Sequence, residues 1–161
     1  MAEHCGITSL KGMADLTLLT VLSVDYNKIT NVEVLGKCTN LVNLSIASNS
    51  IEDISALSTL TKLEIFDFSS NKVEKLPAWP EGCALHTIDG SYNVLTSLDV
   101  LKKMEKLGYV YMDYNKLTDI DVLAECNTLV QVNVFGNEIA DVSALREHDI
   151  IVNYDPTYKS K

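Results

Sequence analysis

The residues of this chain that could do chemistry are four cysteines, three histidines and a set of tyrosines and aspartates gathered in its second half. An even count of cysteines invites a disulfide framework. Cys38 and Cys126, however, occupy the same position of a 22-residue unit, four units apart. At strand spacing that is roughly 20 Å, beyond the reach of an S–S bond. Cys83 lies near that position and Cys5 falls on a different edge, so all four read as small buried hydrophobes. His4, His86 and His148 fall in three different units, with no H-E-x-x-H, C-x-x-C or glycine-rich phosphate loop near them. His148 reads as a wet residue closing the last complete turn. Asp113-Tyr114-Asn115 begins like a calcium loop but lacks the glycine and the closing glutamate, and Asp119 and Asp121 read as a solvated turn. These residues imply no enzyme, no metal and no cofactor. What remains is the chemistry of recognition: Asp89, Tyr92, Tyr109, Tyr111, Asp113, Tyr114 and Phe135 place aromatic rings among carboxylates, the composition of interaction hot spots.

The elements that must hold these residues appear once internal repeats are sought. Asn27, Asn49, Asn71, Asn93, Asn115 and Asn137 stand 22 residues apart without insertion or deletion. The positions eight, five and three before each Asn, and two, five and eight after it, form a fixed frame; for Asn49 they are Leu41, Leu44, Ile46, Ile51, Ile54 and Leu57. Of the 36 framed positions, 35 are apolar and one is Gly90, which chance excludes in a chain that is 47% apolar. Cys5 takes the Asn position of a partial unit at the start. At the other end Ile151 and Tyr154 continue the frame, Pro156 falls where a strand residue belongs, and Lys159 takes the Asn position. The expected organisation is one domain, 1–161: a partial repeat over 1–18, six repeats over about 19–150 and a closing segment over 151–161.

Within each unit a stretch such as 41–46 (Leu-Val-Asn-Leu-Ser-Ile) alternates apolar and polar, a short strand with one face buried. Successive strands run the same way and build a parallel sheet. The Asn side chain, with both donor and acceptor, satisfies backbone groups where the chain turns inward. The rest of the unit, as in 54–60, returns with apolar residues at three-residue spacing, which suits a 3-10 turn. The exception is 76–82, where Pro77 and Pro80 predict an extended crossing with Trp79 in the core. Gly90 leaves a gap that the Phe68 ring is expected to fill.

The strand positions six, four and two before each Asn face away from the core. These 18 positions hold Asp25, Asp67, Asp89 and Asp113 and no Lys or Arg, and their C-terminal half gathers the tyrosines. With a net charge of −9, the chain repels phosphate backbones and anionic lipid, so binding to nucleic acid or a membrane surface is disfavoured and a neutral or basic partner is favoured. No stretch approaches the roughly 18 uninterrupted apolar residues of a membrane span, so membrane insertion is not expected. A protein or peptide ranks ahead of a carbohydrate stacked on the tyrosines. Tyrosines paired across strands also stabilise a sheet without any ligand.

The pattern L-x-x-L-x-L-x-x-N-x-[IVL] resembles the leucine-rich repeat family. Asn49-Ser-Ile-Glu-Asp-Ile-Ser-Ala-Leu and Asn137-Glu-Ile-Ala-Asp-Val-Ser-Ala-Leu are similar to the 22-residue repeats of bacterial internalin-like proteins. The close of the chain, Asp149-Ile-Ile-Val-Asn-Tyr-Asp-Pro-Thr, resembles the terminal segment of such proteins from Gram-positive gut bacteria. The resemblance implies an α/β leucine-rich repeat solenoid: a curved parallel sheet on the concave face, short 3-10 or extended segments on the convex face. It also implies a surface or secreted adhesion module that binds a protein on its concave side. The unit is similar, too, to the cytoplasmic regulatory subunit of protein phosphatase 1, which implies a regulatory scaffold instead. A start inside a repeat is expected to leave an apolar end, as in a module of a longer chain.

Overall fold

A computed structural model describes residues 1–102 and 104–155. Seven strands form one open parallel sheet in sequence order: β1 Val21–Ser23, β2 Asn43–Ser45, β3 Ile65–Asp67, β4 Thr87–Asp89, β5 Tyr109–Tyr111, β6 Gln131–Asn133 and β7 Ile151–Asn153. From β1 to β6 each residue pairs with the one 22 positions on, as in Val21 with Asn43 and Tyr109 with Gln131. Every framed side chain therefore stacks on its own kind, and all framed positions are buried except the half-buried Leu19. This is the solenoid predicted from the repeat.

The outer segments show why a 3-10 turn forms where it does. Five described 3-10 turns, Lys11–Met13, Glu33–Lys37, Ser55–Thr59, Asp99–Leu101 and Asp121–Glu125, and the single-turn helix α1, Ser143–Arg146, begin at one position of the repeat. Two residues earlier stands an acceptor side chain: Ser9, Asn31, Asp53, Ser97, Asp119 or Asp141. Each accepts the N–H of the residue that opens the turn, at 2.7 to 3.3 Å. Such a cap satisfies a donor that the turn itself leaves orphaned. The N–H groups of Ser55 and Ser143 hold the Asp53 and Asp141 carboxyls below the ordinary carboxylate range. At the remaining repeat the position is Lys75, which can accept nothing, and Pro77 follows. Here the chain crosses without a helix. Trp79 fills the space instead: buried, it donates its indole N–H to the Leu57 carbonyl at 3.1 Å and meets the Phe66 ring edge-on at 6.1 Å.

Gly90 is the one framed position without a side chain. A Cβ placed there would collide with the Phe68 ring and come within 2.9 Å of Met112 Sδ, so the ring occupies the gap, as expected.

Two expectations are corrected. Cys5 is exposed, whereas Cys38, Cys83 and Cys126 are buried. Among the described residues no turn lies outside the first one to cover Cys5, whose thiol donates to the Glu3 carbonyl at 3.1 Å. Burial pushes the thiols of Cys38 and Cys83 up, which makes them inert. The second correction is the closing register. β7 pairs with β6 at a spacing of 20, Gln131 with Ile151 and Val132 with Val152. The outer segment is two residues shorter, closed by α1 and by Asp149 in the left-handed conformation, φ 58°. Ile151 therefore points outward and is exposed, while Val152 and Tyr154 pack on the core and Arg146 lies over the Tyr154 ring at 5.5 Å. Pro156 and Lys159 lie outside the described residues.

Candidate functional site

The open face of the sheet carries every residue singled out for recognition, and the repeat positions them. In the interior turns the Asn side chain ties adjacent strand ends together. Asn115 Oδ1 accepts the Leu95 N–H at 2.9 Å, and its amide donates to the carbonyls of Gly90, Met112 and Asp113 at 3.0, 3.1 and 3.3 Å. Asn27, Asn49, Asn71, Asn93 and Asn137 make the corresponding bonds in their own turns, as in Asn49 Oδ1 to Ile29 N–H and Asn137 Oδ1 to Leu117 N–H, both 3.0 Å. Asn93, Asn115 and Asn137 are buried.

Immediately before each of these asparagines the backbone is left-handed, at Tyr26, Ser48, Ser70, Tyr92, Tyr114 and Gly136, with φ from 53° to 65°, and the same holds at His4 before Cys5. Residues other than glycine rarely adopt that conformation, and here the rigid stack imposes it in every turn. Its effect is to line side chains along one margin of the sheet at the strand spacing. His4 and Tyr26 stack at 4.4 Å, and Tyr92 and Tyr114 at 4.6 Å with an interplanar angle of 16°. Gly136 ends the second stack, because a Cβ there would meet the Tyr114 ring. Tyr92 and Tyr114 remain 56% and 49% exposed, so the shelf presents aromatic area to solvent.

Inside this margin, Asp89 lies directly opposite Tyr111 and Thr87 opposite Tyr109. Tyr109, Tyr111, Asp89 and Asp113 are half-buried and Phe135 is exposed. The His86 ring lies over Gly108 and meets the Tyr109 ring at 5.4 Å, closing the other margin. Asp113 Oδ1 accepts the Phe135 N–H at 2.7 Å, and Asp89 Oδ1 the Ser91 N–H at 2.9 Å. At the N-terminal end, Asp25 accepts from the Ser45 hydroxyl at 2.6 Å and the Ala47 N–H at 2.8 Å. Burial raises the Asp113 carboxyl above its ordinary range, with Asp89 adding to the effect; burial likewise raises Asp67, with further contributions from Asp89 and Asp25. Two outward positions are buried: Ala47 and Ser91 are too short to reach past their neighbours. Neither His86 nor Ser91 was singled out from sequence, since position alone does not tell which small residue is overshadowed. Among the described residues no cluster of His, Cys, Asp and Glu could hold a metal ion.

Asp67 sits directly opposite Asp89 in the sheet, two like charges with no cation at any of the 18 outward strand positions. A carboxyl raised in the folded state opposes folding when ionised, and that opposition is relieved as pH falls through the raised value. Asp67→Asn keeps an acceptor for the Ser69 N–H that Asp67 now binds at 2.9 Å. The variant is expected to be more stable than wild type at pH 7 by about 0.2–1 kcal/mol, the scale of a cross-strand charge pair. The gain should shrink toward zero in urea melts at pH 3. A difference equal at both pH values would refute the charge explanation.

The Leucine Rich repeats family, in two copies, matches residues 39–81. The fold superposes on the crystal structure of an internalin (inlF) from Listeria monocytogenes with a TM-score of 0.86 and 25% identity, over 94% of this chain and 45% of that one. The chain is a leucine-rich repeat protein of internalin type. It is also similar to internalin C2 of the same organism, with a TM-score of 0.77 and 24% identity over 93% of this chain and 77% of that one. A third likeness is to the plant peptide hormone receptor RGFR1 in complex with RGF2: TM-score 0.76, 25% identity, 91% of this chain and 26% of that one. No curated protein matches in sequence. This internalin-type chain thus spans about half of the first internalin. Its fold points to protein–protein recognition, and among the described residues no helix is long and apolar enough to cross a membrane.

Proposed function

We propose that this protein is a non-catalytic recognition module that binds a protein or peptide on the open face of its sheet, at Asp89, Tyr92, Tyr109, Tyr111, Asp113, Tyr114 and Phe135. The observation that carries this reading is the exposed Tyr92–Tyr114 shelf beside the half-buried Tyr109 and Tyr111. The framed residues already build the core, so these rings have no core to fill. Rigid aromatic area costs little conformational entropy to immobilise, which is why it recurs at the centres of interfaces. The peptide complex of the plant receptor of similar fold supports a peptide or protein ligand, and the acidic face favours a neutral or basic one over nucleic acid. Likeness to internalins supports a surface or secreted, adhesion-type setting. The buried cysteines, joined by no disulfide among the described residues, favour a second reading, a cytoplasmic regulatory scaffold.

Affinity capture on immobilised protein tests the site. A partner retained by wild type is expected to be lost from the Tyr109→Ala, Tyr111→Ala double variant, whose side chains leave the framed core intact. The drop in affinity should be at least tenfold, in keeping with hot-spot losses of about 2 kcal/mol or more. Equal capture by both proteins would remove the face from consideration. Co-purification with a soluble enzyme rather than a cell-surface receptor would favour the scaffold reading.

A further inference from the structure

Resting on the sheet-face reading, we propose that Asp89, Ser91, Tyr111 and Asp113 form a receptor for one arginine side chain of the partner. These residues occupy the corners of a cell spanning two adjacent turns. Asp89 is opposite Tyr111 in the register, and Ser91 precedes Asp113 by one repeat. The strand ladder continues past β4 and β5 through the cell, with Gly90 N–H to the Tyr111 carbonyl at 2.8 Å and Tyr92 N–H to the Asp113 carbonyl at 2.7 Å. The geometry is therefore that of a paired sheet, in which diagonal residues such as Asp89 and Asp113 stand about 7–8 Å apart at the backbone. That spacing leaves room for a planar guanidinium, which offers five N–H donors, between their side chains.

The floor of the cell is Ser91. It is only 7% exposed, and its hydroxyl, on the outward side of the strand, makes no hydrogen bond to another described residue and is not sealed from solvent. Its donor and acceptor capacity is therefore open to a group that enters from the face. The carboxylates are likewise without a cation: each accepts one backbone N–H, and the ion pairs among the described residues, Lys72 with Glu52 and Lys102 with Glu125, lie away from the face. The Tyr92–Tyr114 shelf borders the cell through the residues that follow Ser91 and Asp113. Aromatic faces attract a cation within about 6 Å. Donors from the guanidinium, acceptors from Asp89, Asp113 and Ser91, and an aromatic wall together favour arginine over the compact, strongly hydrated ammonium of lysine.

The test is selection from a displayed library of random twelve-residue peptides on the immobilised protein. Enriched sequences are expected to share an arginine, and synthetic copies in which citrulline replaces it should bind at least tenfold more weakly. Asp89→Asn with Asp113→Asn should lose the same factor for the arginine peptide and nothing further for the citrulline peptide. Ser91→Ala should weaken the arginine peptide while leaving thermal unfolding unchanged. Enriched peptides without arginine, or an affinity indifferent to the double Asn variant, would overturn the proposal. If such peptides were still lost on Tyr109→Ala, the sheet-face reading would survive alone; if they were indifferent to that change too, both would fall.

Discussion

Asn115→Ala is expected to lower the stability of the fold by about 3–5 kcal/mol, a large part of the 5–15 kcal/mol typical of a domain. The change removes the acceptor of the buried Leu95 N–H and the donor to the carbonyls of Gly90, Met112 and Asp113. Gly90 and Met112 keep a second amide, from Asn93 and Asn137 respectively, and Asp113 keeps the Tyr92 N–H. The Leu95 N–H keeps none of these, and an orphaned buried donor costs about 1–3 kcal/mol by itself. The lost bonds add to that. Asn27→Ala is the internal comparison. Asn27 makes bonds of the same kind, but it is half-buried and its acceptor serves Cys5 and Ile7 in the exposed first turn, where water can replace it. Urea unfolding should therefore rank Asn115→Ala well below Asn27→Ala in stability. Equal losses at the two sites would mean that burial does not set the cost. Asn115→Asp keeps the acceptor but loses the amide donor and turns a carboxylate toward three carbonyl oxygens. It should be at least as damaging as alanine at pH 7 and milder once the carboxyl is protonated.

The second large effect lies in the core of the same turn. Gly90→Ala adds one methyl group where the Phe68 ring already sits, and Gly90→Leu adds more. Nothing in the backbone requires glycine here, since Gly90, unlike Gly136, lies outside the left-handed region. The cost is steric alone. Overpacking of a close-packed core typically destabilises by about 1–3 kcal/mol, and thermal melts of Gly90→Ala should show a loss in that range. Phe68 touches Phe66 at 4.9 Å and Phe66 touches Trp79, so the ring cannot withdraw freely. Phe68→Leu should return part of the loss when combined with Gly90→Ala, although alone it is destabilising. Additive losses in that pair would show that the methyl group is resisted by something other than the ring.

Much of this molecule was legible because its repeat has no insertions. A period of 22 over six copies allows only one way for the framed residues to share a core, so strand, turn and register followed together. The helix-free crossing at 76–82 was legible for a local reason, the two prolines. The Phe68 and Gly90 complementarity could be read from volumes alone. The closing turn was not legible in the same way: continuing the 22-residue frame placed Ile151 in the core, whereas a shorter turn through α1 and a left-handed Asp149 brings Val152 there. At the end of a solenoid no following repeat enforces the period, and local turn geometry decides. Cys5 was misjudged for the mirror-image reason. A position that is buried inside the stack is exposed where the described chain offers no further turn to cover it.

By itself the sequence determined which residues face the core and which face away, because a period-two strand repeated in register leaves no other assignment. It determined as well that the outward face is acidic and rich in tyrosine at one end. Only the tertiary structure decided what those outward residues do to one another. Holding the residue before each asparagine in a left-handed conformation turns Tyr92 and Tyr114 into a stacked pair, and long neighbours leave Ser91 only 7% exposed beside two carboxylates. Both depend on distances between side chains of adjacent turns, 22 residues apart in the chain, and those distances exist only after the turns have stacked.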